Sequence, residues 1–145
     1  MTDLTQLYKE VILDHNKSPR NFKELKEYTH KADGHNPLCG DKYTIYLDVK
    51  DDIIVDIGFE GSGCAISKSS ASIMTTILKG STVNEAEHFF NNFHKMLTDE
   101  GKIDLTDKMC KTEVLKGVKE FPSRIKCATL IWHTMKSAIE SKEKE

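Results

Sequence analysis

The chain has 145 residues, in which 21 Lys and Arg face 23 Asp and Glu for a formal charge of −2, with 38% hydrophobic and 30% charged positions. One domain over residues 1–145 is the expectation, since a chain of this size buries roughly 70% of its unfolded surface and builds a core without disulfide staples. The near-neutral balance excludes the broad positive field of a non-specific nucleic-acid binder; no stretch approaches the ~20 apolar residues of a membrane span; and MTDLTQLYKE lacks the basic start and apolar run of a signal peptide, so a cytoplasmic protein with neither nucleic-acid nor membrane partner is expected.

Leu4, Leu7, Tyr8, Val11 and Ile12 recur at helical spacing, with Asp3 and Gln6 as a capping box, and predict a first helix ending near His15. Pro19 disfavours helix at Ser18, so residues 16–22 read as a loop. The next stretch, EYTHKADGHNPLCG, has room for a short strand and ends in Asn-Pro and Cys-Gly turn chemistry. Tyr43, Ile45, Leu47 and Val49 then alternate with Thr44, Tyr46 and Asp48, and Ile53, Val55, Ile57 and Phe59 alternate again. Two strands with those residues facing one core follow, joined as an antiparallel hairpin through Lys50, Asp51 and Asp52, in a sheet covered on one face.

Ala65–Leu78 reads as a helix entered through Gly61–Cys64 and closed by Gly80, its small side chains suited to close packing. Thr82 and Glu85 form a capping box for a further helix with Val83, Ala86, Phe90, Phe93 and Leu97 as its buried stripe, stopped by Asp99–Gly101. Residues 102–120 carry a weaker helical pattern interrupted by Gly117. After Phe121 and Pro122 a last helix follows on Ala128, Ile131, Trp132, Met135 and Ile139. The fold class is α+β, a small antiparallel sheet with helices packed on one face.

Four cysteines in a reducing compartment are buried small hydrophobes, metal ligands or nucleophiles rather than disulfides. Cys39 lies in the turn entering the first hairpin strand, while Cys64 and Cys127 stand where loops become helices. A helix start offers free N–H groups and partial positive charge, which favour the thiolate. Gly40, Gly61 and Gly63 clear space beside the sulfurs. Asp41 follows Cys39 by two, so Cys39, Asp41, Cys64 and Cys127 make a tetrahedral set of three thiolates and a carboxylate. Such a set suits zinc, and equally iron or an Fe–S cluster, but not Mg or Ca.

Cys110, between Met109 and Lys111, reads as a buried hydrophobe. Arg124 and Lys126 are either solvated or hold the site's negative charge. The histidines lack metal-ligand spacing, and only His35, near Cys39, is a candidate extra ligand. The serines of SKSSAS fit helix packing better than a nucleophile or phosphate loop, as neither G-x-S-x-G nor a Walker pattern is present.

Three motifs in order, N-P-L-C-G-D (Asn36–Asp41), G-S-G-C-A-I-S (Gly61–Ser67) and P-S-R-I-K-C-A (Pro122–Ala128), preceded by D-H-N-K-S-P-R-N (Asp14–Asn21), resemble the U-type iron–sulfur cluster assembly family. That family includes IscU and the N-terminal domain of NifU; the resemblance runs nearly end to end and is strongest to the SufU branch. Lys126 stands where IscU-like proteins have His, and Lys95–Cys110 looks like the SufU insertion. The chain ends soon after its last helix, so the further cluster-binding domains of NifU are not expected.

The resemblance implies zinc held by Cys39, Asp41, Cys64 and Cys127, and sulfur accepted from a SufS-type cysteine desulfurase, with a downstream Fe–S assembly scaffold as a second partner. It also implies that Cys39 carries the transferred persulfide while a desulfurase side chain takes its place on zinc. Zinc would keep the thiolates deprotonated, and exchange of one ligand would free a nucleophile without emptying the site. As a geometric expectation apart from the resemblance, Arg124 would pair with Asp41. Two other functions fit the same ligands: an IscU-type scaffold for a transient [2Fe–2S] cluster, and a structural zinc binding module. A zinc hydrolase would need an open position beside a general base, which the sequence does not offer.

Overall fold

A computed structural model describes residues 4–37, 40–98 and 109–140 of the chain. The order is α1 (Leu4–Lys17), β1 (His30–Asn36), β2 (Asp41–Lys50), β3 (Ile53–Ser62), α2 (Ala65–Leu78), α3 (Val83–Thr98), a 3₁₀ segment (Met109–Glu120) and α4 (Pro122–Glu140). The three strands form one antiparallel sheet in the order β1-β2-β3. Asp51 and Asp52 turn β2 into β3 with φ of +52° and +65°, the left-handed pair of a two-residue type I′ hairpin whose twist matches its strands.

The helices cover one face of this sheet. Helix α4 crosses β1 and β2, α2 lies against β3 and α4, and α1 packs on α2. The approach of α4 to β1 is so close that a Cβ on Gly34 would overlap Thr134. On α2, buried Ser70 lies at the contact with α4. At that contact the Trp132 indole donates to Ser70 Oγ (3.2 Å), Ser70 donates to the Ala128 carbonyl (2.6 Å), and the Trp132 ring stacks on Phe93 of α3 at 4.6 Å. The capping box of α3 is closed both ways: Thr82 N–H donates to Glu85 Oε1 (2.9 Å), and Glu85 N–H to Thr82 Oγ1 (3.0 Å). Asp3, of the expected α1 box, lies outside the described residues.

Four expectations are corrected. Helix α1 continues through Asn16 to Lys17 rather than ending near His15. Its end is tied to α2, where buried Ser72 Oγ meets His15 Nδ1 (2.7 Å) and accepts the Arg20 N–H (2.8 Å). Second, the β3 alternation breaks. A register shift at Asp48/Val49 pairs Val49 with Ile54 but Asp48 with Asp56, leaving Val55 as the extra residue. Ile54, Ile57 and Phe59 therefore enter the core, while Ile53 and Val55 are about two-fifths exposed. Third, the outer face of the sheet is not bare. Buried Tyr46 packs against Tyr28 (ring centroids 5.2 Å apart), and Leu25 lies over Gly58, where a Cβ would stand 2.5 Å from the Lys23 carbonyl. Fourth, residues 109–120 are 3₁₀ rather than α, and their buried contacts come from Leu115, Val118 and Thr112. The expected stop at Asp99–Gly101, and the rest of the weak stretch to Lys108, lie outside the described residues.

Candidate metal centre

The ends of three elements meet beside the sheet. Asp41 opens β2, Cys64 is the N-cap of α2, and Cys127 is carried by α4. One ligand atom from each of Asp41, Cys64 and Cys127 lies within 4.8 Å of the others, the only such group of His, Cys, Asp or Glu among the described residues. Asp41 and Cys127 are buried and Cys64 is half-buried, so the group opens on the Cys64 side.

The two oxygens of Asp41 differ. Oδ1 accepts the Cys64 backbone N–H at 3.0 Å, whereas Oδ2 is buried without a hydrogen-bond partner among the described residues. A buried carboxyl oxygen left bare costs free energy unless a donor or cation meets it. With two thiols beside it, the donor set is that of a zinc or iron site, and the residues fit such an ion with Oδ2 as the available carboxyl ligand.

Around Cys64 the backbone is held by local bonds. As N-cap, its Sγ accepts the Ser67 N–H at 3.5 Å, and Ser67 Oγ donates to the Cys64 carbonyl at 3.0 Å. The Tyr43 hydroxyl is 3.0 Å from Ser67 Oγ. Burial pushes the Tyr43 phenol up to about 12; the Ser67 hydrogen bond opposes this, and nearby Asp41, Cys64 and Cys127 add to it. Gly63 makes the convergence possible: a Cβ there would stand 2.5 Å from Asp41 Oδ1, 2.5 Å from Ser67 Oγ and 2.7 Å from Tyr43 OH.

Cys39, the remaining expected ligand and sulfur acceptor, and Cys110's side chain lie outside the described residues. Gly40, next in sequence after Cys39, is exposed at φ +75° and has no described atom within 4 Å of where a Cβ would sit. Cys127 is not at a helix start. Phe121 caps α4, its carbonyl accepting the Arg124 N–H (2.8 Å), and Pro122 fills the first helical position, so Cys127 falls in the second turn. Its setting is burial, not free N–H groups. Arg124 and Lys126 are exposed, and among the described residues neither forms an ion pair with Asp41. Arg124 instead lines an apolar groove with Tyr8, Ile12, Ile66 and Phe121. His35 is exposed on β1 and outside the ligand group. Sequence reasoning passed over Tyr43 and assigned Ser67 to helix packing; its place three residues after Cys64, where an N-cap finds its partner, was the available signal.

Residues 7–140 match the NifU-like N-terminal domain family. The chain belongs to that family. Relatives of this chain include named iron–sulfur cluster assembly scaffold proteins. The chain is 40% identical over 144 residues to the zinc-dependent sulfurtransferase SufU of Bacillus subtilis, covering 97% of this chain and 95% of the relative. It is 36% identical over 141 residues to the iron–sulfur cluster assembly scaffold protein IscU of Streptococcus pyogenes, covering 97% and 87%. A solved structure assigned as an iron–sulfur cluster assembly scaffold of the SUF system, from Fervidobacterium islandicum, superposes with a TM-score of 0.81 at 31% identity, over 90% of this chain and 94% of that one. The family thus spans both activities expected from the motifs. No helix among the described residues is long and apolar enough to cross a membrane.

Proposed function

We propose that this chain is a zinc-dependent sulfurtransferase of cytoplasmic iron–sulfur cluster biogenesis, accepting persulfide sulfur from a SufS-type cysteine desulfurase and passing it to a downstream assembly scaffold. The observation that carries this reading is the meeting of Asp41, Cys64 and Cys127 around a buried carboxyl oxygen with no partner among the described residues. The 40% identity to a named zinc-dependent sulfurtransferase supports it.

Cys39, Asp41, Cys64 and Cys127 would hold the zinc, which when bound keeps its thiol ligands deprotonated. Cys39 is the acceptor. Its thiolate attacks the terminal sulfur of the desulfurase persulfide; a new S–S bond forms at Cys39, the desulfurase S–S bond breaks, and the desulfurase thiolate leaves. Buried Asp41 and Cys127 stay in place while the sulfur moves.

The test measures alanine and persulfide production by a SufS-type desulfurase with and without the zinc-loaded protein, iron excluded. Stimulation that disappears in Cys39→Ala, while zinc and fold persist, is the expected result; no stimulation by the wild-type chain overturns the reading. Scaffolding of a transient [2Fe–2S] cluster is the second reading, favoured by the 36% identity to a named IscU scaffold. It predicts a cluster chromophore that passes to an apo acceptor.

A further inference from the structure

No residue of the motif D-H-N-K-S-P-R-N (Asp14–Asn21) belongs to the metal group, and the proposed function leaves it without a role. Its groups converge on α2. Ser72 Oγ, fully buried, accepts the Arg20 backbone N–H at 2.8 Å and lies 2.7 Å from His15 Nδ1. Three residues further along α2, Thr75 Oγ1 accepts from Asn21 Nδ2 at 3.0 Å, while the Asn21 carbonyl accepts the Phe59 N–H of β3 at 3.0 Å. Asn21 stands at φ +58°, a conformation that Asn visits more readily than most residues. The motif thus ties the end of α1 to α2 and to β3.

A serine hydroxyl has one proton and two acceptor lone pairs. At Ser72 the Arg20 N–H takes one lone pair. With His15 neutral and its proton on Nε2, Nδ1 accepts the Ser72 O–H, and both contacts pair a donor with an acceptor. With the ring charged, Nδ1–H must itself donate to Oγ, so the Ser72 proton loses its acceptor there and a half-buried imidazolium remains. The neighbouring charges oppose that state. Arg20 from the loop and Lys111 from the 3₁₀ segment repel a positive ring; Asp14 on α1 favours it but already holds the Arg20 guanidinium at 2.8 Å. Lys68, the one charged residue of α2, lies over the Phe22 ring. Burial first, and Arg20 after it, hold the His15 pKa below its ordinary value.

We propose that this motif is a proton-sensitive clasp: neutral His15, accepting from Ser72, holds the C-terminal end of α1 on α2, and a charged His15 loosens it. The hold is full above pH ~6.5, where a free imidazole is already neutral, and weakens as pH falls below that value. What it secures is one wall of the apolar groove, since Tyr8, Ile12 and Leu13 all come from α1. The clasp needs neither the metal nor a partner, so it stands apart from the sulfur-transfer reading.

The test is amide hydrogen exchange of the full chain, read by mass spectrometry at pH ~7.5 and pH ~5 with labelling times scaled to the intrinsic exchange rate. Protection of the last turn of α1, where the Ser18 N–H donates to the Asp14 carbonyl, is expected to fall about fivefold at the lower pH, the equivalent of one ordinary hydrogen bond. His15→Asn puts an amide oxygen that does not titrate near the position of Nδ1, and is expected to lose this pH dependence. Acid also protonates the thiols of the metal group, an effect both proteins share, so the difference between them belongs to His15. Wild-type protection that does not change with pH overturns the proposal, as does an equal acid loss in wild type and His15→Asn. If His15→Asn does not fold, nitrogen NMR of the wild-type ring decides. A bare Nδ1 at neutral pH together with a pKa below that of a free imidazole supports the clasp, and a proton on Nδ1 or a pKa no lower than a free imidazole's overturns it.

Discussion

Gly63 shows how much of the site depends on one missing side chain. Three polar atoms from three different residues come within 2.7 Å of the place its Cβ would occupy. Any larger residue must push Asp41 Oδ1, Ser67 Oγ or Tyr43 OH aside, and the first of these fixes the carboxyl on the Cys64 amide. Gly63 itself is exposed, so the displacement falls first on these three polar side-chain ends. Gly63→Ala is therefore expected to weaken zinc binding about 10- to 100-fold, the range seen when groups that orient metal ligands are lost, with little change in the far-UV circular dichroism. Competition with a chromophoric chelator measures it; affinity within twofold of wild type would show that the ligands tolerate the Cβ.

At the scale of elements, local chemistry made the sequence readable and long-range pairing limited it. Helices α2 and α3 were legible to the residue at their starts, α2 from its Gly61–Cys64 entry and α3 because Thr82–Glu85 cap within four residues of chain. The hairpin was legible from its alternation, but the bulge was not, since which of Ile53, Ile54 and Val55 turns inward is decided by the pairing of Val49 with Ile54 across the sheet. Likewise, α1's end depends on Ser72 and the burial of Tyr46 on Tyr28, contacts far apart in sequence. The candidate donors could be read as types, because soft thiolates beside a carboxylate suit few ions, and Asp41, Cys64 and Cys127 do come together; the helix-start argument failed for Cys127 because Pro122 begins α4 a turn earlier than the motif suggested. The bulge makes an opposite prediction to strict alternation. Ile54→Ala, which empties a fully buried position, is expected to cost about 2–5 kcal/mol, whereas Val55→Thr on the exposed bulge is expected to stay within about 0.5 kcal/mol. Urea unfolding of the two variants checks the order, and comparable losses would place Val55 in the core.

For the whole molecule, the candidate metal group brings together three separate parts of the chain. Asp41 belongs to the sheet, Cys64 to the helix packed on β3, and Cys127 to the helix crossing β1 and β2. An ion held by all three ties sheet and helical layer together, and its binding free energy adds to folding because the unfolded chain has no preformed site. Without the ion the same place carries a liability, a buried Asp41 oxygen with no partner among the described residues. Asp41→Asn separates the two effects. The amide oxygen can still accept the Cys64 N–H, while the position facing the ion loses its negative charge and its ligand atom. Zinc is therefore expected to raise the melting temperature of the wild-type chain by several degrees more than that of Asp41→Asn, since tenfold weaker binding at fixed excess zinc removes about 1.4 kcal/mol of linkage. In the presence of a strong chelator the gap should close or reverse, because the metal-free wild type retains the bare carboxyl oxygen and the variant replaces it with a neutral amide. Calorimetry of both proteins with zinc and with chelator gives the four melting temperatures. Equal zinc-induced shifts would mean that Asp41 is not a ligand and that the ion is held by the thiols alone.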